Sequence, residues 1–420
     1  MTGVLDELKW RGLLAESTDE EALAEHFAAG PVSFYVGFDP TAPSLHFGNL
    51  VQLILVRHLQ AAGHKPYLLV GGATGLIGDP KQAAERVLNP TDVVAGWVER
   101  IREQVARFVS FEGENGATLV NNFDWTSGMS TIDFLRDIGK HFSVNRMLAR
   151  DVVRNRLESG ISYTEFSYVL LQSMDFLHLY QEHGVTMQTG GSDQWGNITA
   201  GVELIRRAAG GRAHAMATPL LTKADGTKFG KTEGGSVWLD AQITSPYAFH
   251  QFFLAAEDSM VGTYLRVFSS RSREEIQDLE RQTSEAPHLR AAQRALADDV
   301  TDLVHGEPER RAAVAAADAL FGRGSLQELP AGTLRAVARE LHASVVPSLD
   351  GLSVASALQA AGVVPSLSAG RRAIAEGGAY VNNAKVTDAD ASLTSADLLP
   401  GGYVVVRRGK RTVGALSVQV

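Results

Sequence analysis

Residues 32–72 read VSFYVGFDPTAPSLHFGNLVQLILVRHLQAAGHKPYLLVGG. Val32 to Phe38 is β-branched and aromatic, the composition of a buried strand. DPTAPSLHFGN follows as a loop, and NLVQLILVRHLQAAG has the apolar spacing of a helix that stops at Gly63. PYLLVGG then reads as a second buried strand, and ATGLIGDP as another glycine-bearing loop. Strand, loop, helix, strand is a βαβ unit, which implies parallel strands with a right-handed crossover. Ligands in such sheets bind beyond the carboxyl ends of the strands, where both loops sit. An α/β fold with a Rossmann-like parallel sheet is therefore predicted for residues 1–244.

Working outward, residues 91–110, 131–158 and 163–181 carry helical patterns. GVTMQTGG reads as a further strand, SDQWGNITAGVELIRRAAG as a helix starting at its loop, and PLLT as a short strand entering a basic loop. Residues 245–321 are helical throughout, an all-α domain, and 322–350 form a linker. Residues 351–420 return to mixed structure, with a helix over AGRRAIAEG and strands in AYVNNAKVTD and GYVVVRRGKRTVGALSV, a small α+β domain.

Composition bounds the function. The chain has 420 residues, 45% of them apolar and 21% charged, which suits a globular protein of two or three domains. No apolar run approaches the roughly 20 residues of a membrane span, and the acid-bearing N-terminus argues against secretory and transit peptides. The absence of cysteine excludes disulfides and thiolate metal sites. A cytoplasmic enzyme with no membrane association is expected. Net charge is -9, yet residues 351–420 carry +3 and the remainder -12. An acidic body with a basic end is the asymmetry of a protein that holds a polyanion there.

Two loops carry chemistry. PTAPSLHFGN puts a histidine and a glycine between a strand and a helix N-terminus, where unpaired amides and the helix dipole favour an anion. A loop histidine of no consequence accounts for so short a pattern equally well. TKADGTKFGKT (222–232) holds three lysines, compact charges suited to phosphate oxygens, among glycines that let the segment close over a ligand. Lysines in a solvated loop are common too, but HxGN after the first strand together with KFGKT after the last is a much rarer pairing. It resembles the two signature motifs of class I aminoacyl-tRNA synthetases, whose reaction attacks the α-phosphorus of ATP.

In YTEFSYVLLQSMDF (163–176), Tyr168, Gln172 and Asp175 fall at i, i+4 and i+7, on one face of a helix among apolar neighbours. Buried polar groups need partners. A satisfied core network and a pocket for a ligand with hydroxyl and ammonium groups both fit. With ELKWRGL, GGSDQWGNI and the C-terminal AGRRAIAEGGAYVNNAKVTD in order, the chain resembles the bacterial tyrosyl-tRNA synthetase family over nearly its full length.

That resemblance implies a set of roles. Tyr35 and Asp175 bind the substrate phenol; Asp79, Tyr168 and Gln172 bind its ammonium, with Gln194 near its carboxylate. Asp193 holds the ATP ribose, while Gly37, Asp39, Gly48 and Gly191 line the same cleft. Thr41 and His46 meet the γ-phosphate, and Lys223, Lys228 and Lys231, with Phe229, Gly230 and Thr232, form a loop that closes on pyrophosphate. Arg86 serves pyrophosphate and the tRNA end. ATP is a substrate, Mg²⁺ accompanies its phosphates without a protein metal site, and the partners are L-tyrosine, tRNA(Tyr) and a second copy of the chain. The last 70 residues resemble the family's S4-like RNA-binding module, with Arg371, Arg372, Arg407 and Arg408 placed to meet phosphates. Two departures stand out: Asn49 occupies the place of the motif's second histidine, and GDPKQAAER is one residue shorter than the family loop, leaving Lys81 as the candidate for its lysine. A small-molecule nucleotidylyltransferase would share HxG but needs neither KFGKT nor a basic tail, and a silent RNA-binding regulator would have lost the phosphate contacts. A tryptophanyl enzyme would not need the hydroxyl-binding pair Tyr35 and Asp175.

Overall fold

The computed structural model describes residues 3–80, 88–232, 235–409 and 412–418. The chain packs into two compact units: residues 1–240 with Ser259–Asp278, and Ala241–Asp258 with Leu279–Val420.

The first unit is built on a six-stranded sheet of β1 (Glu16–Ser17), β2 (Ser33–Phe38), β3 (Lys65–Val70), β4 (Thr118–Asn121), β5 (Met187–Gly191) and β6 (His214–Thr218). Their order is β1-β6-β5-β2-β3-β4. All pairs are parallel except β1 with β6. The chain runs outward from β2 through β3 to β4 and then returns to β5 on the other side of β2. The reversal opens a crevice beyond the carboxyl ends of β2 and β5. The helix Phe47–Ala61 makes the first crossover, and Tyr163–His183 covers the sheet with Val169, Met174, Phe176 and Leu179 packed against Tyr35, Tyr67 and Leu69.

Several expectations change. PLLT is not a strand; the strand is HAMAT, five residues upstream, buried at every position. Only Thr218 in it is β-branched, and two-sided burial removes the alternation a strand normally shows. Residues 131–158 are not one helical run but short α, π and 3₁₀ turns. The second all-α domain loses 259–278 to the first unit, where Tyr264, Leu265 and Phe268 are buried.

In the second unit, the helices Pro246–Leu254, Ala291–His305, Glu307–Leu320 and Ala331–Glu340 accompany a sheet of β7 (Ser344–Val346), β8 (Ala379–Val381), β9 (Ala384–Lys385), β10 (Tyr403–Arg408) and β11 (Thr412–Val418). The predicted linker 322–350 therefore contributes a helix and a strand. β7 pairs in parallel with β11, and Leu334 and Val337 of the helix pack with Leu399 and Val405.

Candidate active site

A cleft of about 630 Å³ opens at the crevice between β2 and β5. Its lining includes Tyr35, Gly37, Asp39, Thr41, His46, Gly48, Asn49, Asp79, Tyr168, Gln172, Asp175, Gly191, Asp193, Gln194, Lys228, Phe229, Gly230 and Lys231. Most of the polar residues singled out between Tyr35 and Lys231 thus meet in one crevice. Lys223 is not among the lining residues, and the side chain of Thr232 lies outside what the structure describes. Lys81 and Arg86 lie outside the described residues.

His46 is the N-cap of the helix Phe47–Ala61. Its Nδ1 accepts from the Gly48 amide at 3.0 Å, and Asn49 Oδ1 accepts from the His46 amide at 3.1 Å. This reciprocal capping box satisfies two free amides at the helix start. Gly48 is required because a Cβ there would lie 2.9 Å from His46 Cε1. Desolvation lowers the imidazole pKa below 6.5; a backbone hydrogen bond and Asp193 oppose this, and the ammonium groups of Lys231 and Lys228 reinforce it. The ring is therefore neutral at pH 7, with Nδ1 committed to the cap and Nε2 free to donate.

The KFGKT segment is held by its phenylalanine. Phe229 stacks on Tyr264 at 3.9 Å and meets Phe47 edge-on at 5.0 Å, while the Tyr264 hydroxyl donates to the Thr222 carbonyl. Gly230 has φ +92°, and a Cβ there would lie 2.3 Å from the Phe47 ring. The exposed Lys228 and Lys231 flank this anchored pair. Upstream, the turn closes through Lys223, whose amide donates to the Thr227 carbonyl, and Asp225, which accepts from Thr227.

At the floor of the cleft, Asp175 is buried and its two oxygens face different donors, Asn122 Nδ2 at 2.9 Å and Trp125 Nε1 at 2.8 Å. Burial raises its pKa to about 7, against those two hydrogen bonds and with help from the charge of Asp39. The Tyr35 hydroxyl is fully buried without a hydrogen-bond partner among the described residues, and burial, then the Asp175 charge, hold its pKa well above 10. Asp39 accepts from Thr74 at 2.6 Å and from Tyr168 at 2.6 Å, and Thr74 accepts from Asn122. Asp79 accepts from Gln194 at 3.0 Å and Asn197 at 3.1 Å, and Arg150 donates to Asn197. Gln172 Oε1 is buried and has no hydrogen-bond partner among the described residues. Thr74, Asn122, Trp125, Asn197 and Arg150 were not singled out in the sequence. Asn122 and Trp125 follow β4, a four-residue strand too short to mark itself, so nothing pointed to the turn behind it.

In the second unit, Arg371, Arg372 and Arg408 are exposed. Arg407 is not: it is 7% exposed, lies 4.2 Å from the Tyr380 ring centre, and donates to the Gly409 carbonyl at 2.5 Å. Alternation along β10 turns it inward, so the expectation that it meets phosphate is withdrawn.

The sheet order, the helix capped by His46 and the anchored lysine loop define a class I tRNA synthetase core. The family model for class I tRNA synthetases (W and Y) matches residues 28–322, and that for the tyrosine–tRNA ligase SYY-like C-terminal domain matches 340–413. A tyrosine–tRNA ligase of Cutibacterium acnes is 62% identical, covering 99% of this chain and 100% of its own length. One of Streptomyces coelicolor is 60% identical, covering 100% and 99%. Among solved structures, a C-terminally truncated mitochondrial tyrosyl-tRNA synthetase of Aspergillus nidulans superposes with a TM-score of 0.68 at 29% identity, covering 74% of this chain and 92% of that one. A Plasmodium falciparum tryptophanyl-tRNA synthetase, 12% identical with a TM-score of 0.53 and covering 73% and 84%, shares the fold. The chain belongs to the tyrosine–tRNA ligase family.

Proposed function

We propose that the protein activates L-tyrosine with ATP and transfers it to tRNA(Tyr). A tyrosine carboxylate oxygen attacks the α-phosphorus, the bond to the bridging oxygen breaks, and pyrophosphate leaves tyrosyl-adenylate behind. A ribose hydroxyl at the tRNA 3′ end then attacks the acyl carbon and releases AMP. The attacking carboxylate is already anionic, so no covalent nucleophile is needed. Rate comes from positioning and from charge stabilisation that peaks in the transition state. His46 Nε2, Thr41 and the ammonium groups of Lys228 and Lys231 meet the growing charge on the phosphates. Asp193 takes the ribose, and Asp79, Tyr168 and Gln172 take the ammonium, with Gln194 toward the carboxylate. Mg²⁺ arrives with the triphosphate as part of the substrate.

The observation that carries the choice of tyrosine is the unpartnered Tyr35 hydroxyl beside Asp175, whose oxygens are each held from behind by a single donor. A phenol entering there donates to Asp175 and accepts from Tyr35. Phenylalanine would leave both unpaired, so rejection by about 10⁴ or more, the magnitude characteristic of this enzyme class, needs no editing domain. Tyrosine-dependent ATP–pyrophosphate exchange tests the reading: exchange driven by tryptophan instead overturns the substrate, and comparable exchange with phenylalanine overturns the pocket.

The second unit binds tRNA through Arg371, Arg372 and Arg408 in an S4-like manner. The enzyme works in the cytoplasm as a homodimer. In favour of a partner copy, the first unit exposes Ile132, Leu135, Val144 and Tyr163. Among the described residues no helix is long and apolar enough to cross a membrane.

A further inference from the structure

Asp175 does not hold its donors by itself. Both come from the turn after β4, and neither Asn122 nor Trp125 lines the cleft. The indole of Trp125 lies against the imidazole of His178 at 4.3 Å with the planes 20° apart. His178 stands three residues beyond Asp175 on the helix Tyr163–His183, so one helix supplies both the acceptor and the ring that clamps the donor. On its outer side His178 meets the edge of His183 at 6.1 Å, and His183 in turn packs against Tyr67 of β3 at 5.4 Å.

We propose that His178 is a positioning residue for tyrosine selection: its ring fixes the plane of Trp125, and thereby the indole N–H that aims Asp175 Oδ1 at the substrate phenol. An indole N–H points along one direction in the ring plane. Rotation of the unclamped ring removes that bond, because a hydrogen bond weakens steeply with misalignment. A free Oδ1 is then no longer oriented toward the hydroxyl of the incoming ligand. Phenylalanine makes no use of that oxygen, so the loss falls on tyrosine alone. General damage to the fold would fall on both substrates.

The inference rests on the proposed tyrosine pocket, and exchange kinetics separate the two. His178→Ala is expected to raise the KM for tyrosine about threefold to tenfold, the worth of one aromatic stack. The kcat stays within about twofold, and the tyrosine-to-phenylalanine ratio of kcat/KM falls by the same factor as KM rises. His178→Phe, which keeps a flat ring, restores both. If the alanine variant fails to fold, His178→Leu, which fills the volume without a planar face, takes its place. An unchanged ratio in the alanine or leucine variant, or failure of phenylalanine to restore it, overturns the role of His178 while the tyrosine pocket stands. Exchange by the unmodified protein that ignores tyrosine overturns both.

Discussion

In the tyrosine pocket we propose, Asp175 is the residue on which substrate choice turns, and its environment gives that choice a pH dependence. Burial lifts its carboxyl from the ordinary 3.8 to about 7. Because the folded value lies above the unfolded one, the associated stability is fully present below about pH 4 and is lost as pH rises through about 7. The carboxylate that accepts a phenol grows over the upper part of that window. Tyrosine affinity is therefore expected to rise from pH 6 to pH 8 while the unliganded protein melts earlier. Asp175→Asn should melt progressively higher than the parent as pH increases and lose about a hundredfold or more in kcat/KM for tyrosine. Melting curves and exchange assays across that range check both signs. A second residue-scale contrast concerns two neighbouring arginines. Arg408→Ala should weaken tRNA binding and reduce the salt slope by about 1. Arg407→Ala should leave the slope unchanged and cost about 1–3 kcal/mol of stability, since its guanidinium packs on Tyr380. Filter binding at several salt concentrations and denaturant melts distinguish them.

At the scale of elements, the helix Phe47–Ala61 and the loop 222–232 are joined through Phe47 and Phe229, and in the proposed reaction they act as a single device facing the phosphates. A methyl group at Gly230 would enter the Phe47 ring and require φ +92° of an alanine. Gly230→Ala should displace Lys228 and Lys231 and reduce adenylate formation about tenfold or more. The KM for tyrosine should be unaltered, because Tyr35 and Asp175 lie on other elements. Exchange measured with ATP and tyrosine varied separately decides it. The loop and this helix were legible because glycine, histidine and lysine are rare in fixed order between a strand and a helix. β6 was not, since His-Ala-Met-Ala-Thr, buried on both faces, has no alternation and only one β-branched residue, Thr218, to betray it.

At the scale of the molecule, the C-terminal region is continuous with the helices before it. Val405 and Leu399 share a core with Ala316, Leu320, Leu334 and Val337, and β7 lies beside β11. A chain ending at residue 350, the boundary that composition suggested, would strip that core and leave β7 unpaired. It should melt several degrees lower than the full chain and lose tRNA charging. Tyrosine-dependent exchange should persist, because the cleft-lining residues among those described fall between Tyr35 and Trp238. Calorimetry with exchange and charging assays on the two lengths checks the division.

Local order along the chain was enough to determine the βαβ start, the histidine and lysine loops that line the cleft, and the polar stripe Tyr168, Gln172 and Asp175. Each is a pattern within about twenty residues, set by backbone conformation and side-chain period. Folding alone decided which polar groups reach one another. Asn122 and Trp125 face Asp175 from some fifty positions away, His178 clamps Trp125, and Arg407 turns inward where its neighbour turns out. Those outcomes depend on how elements distant in sequence pack and on the register of a strand pair, for which a single chain read in order carries no local signal.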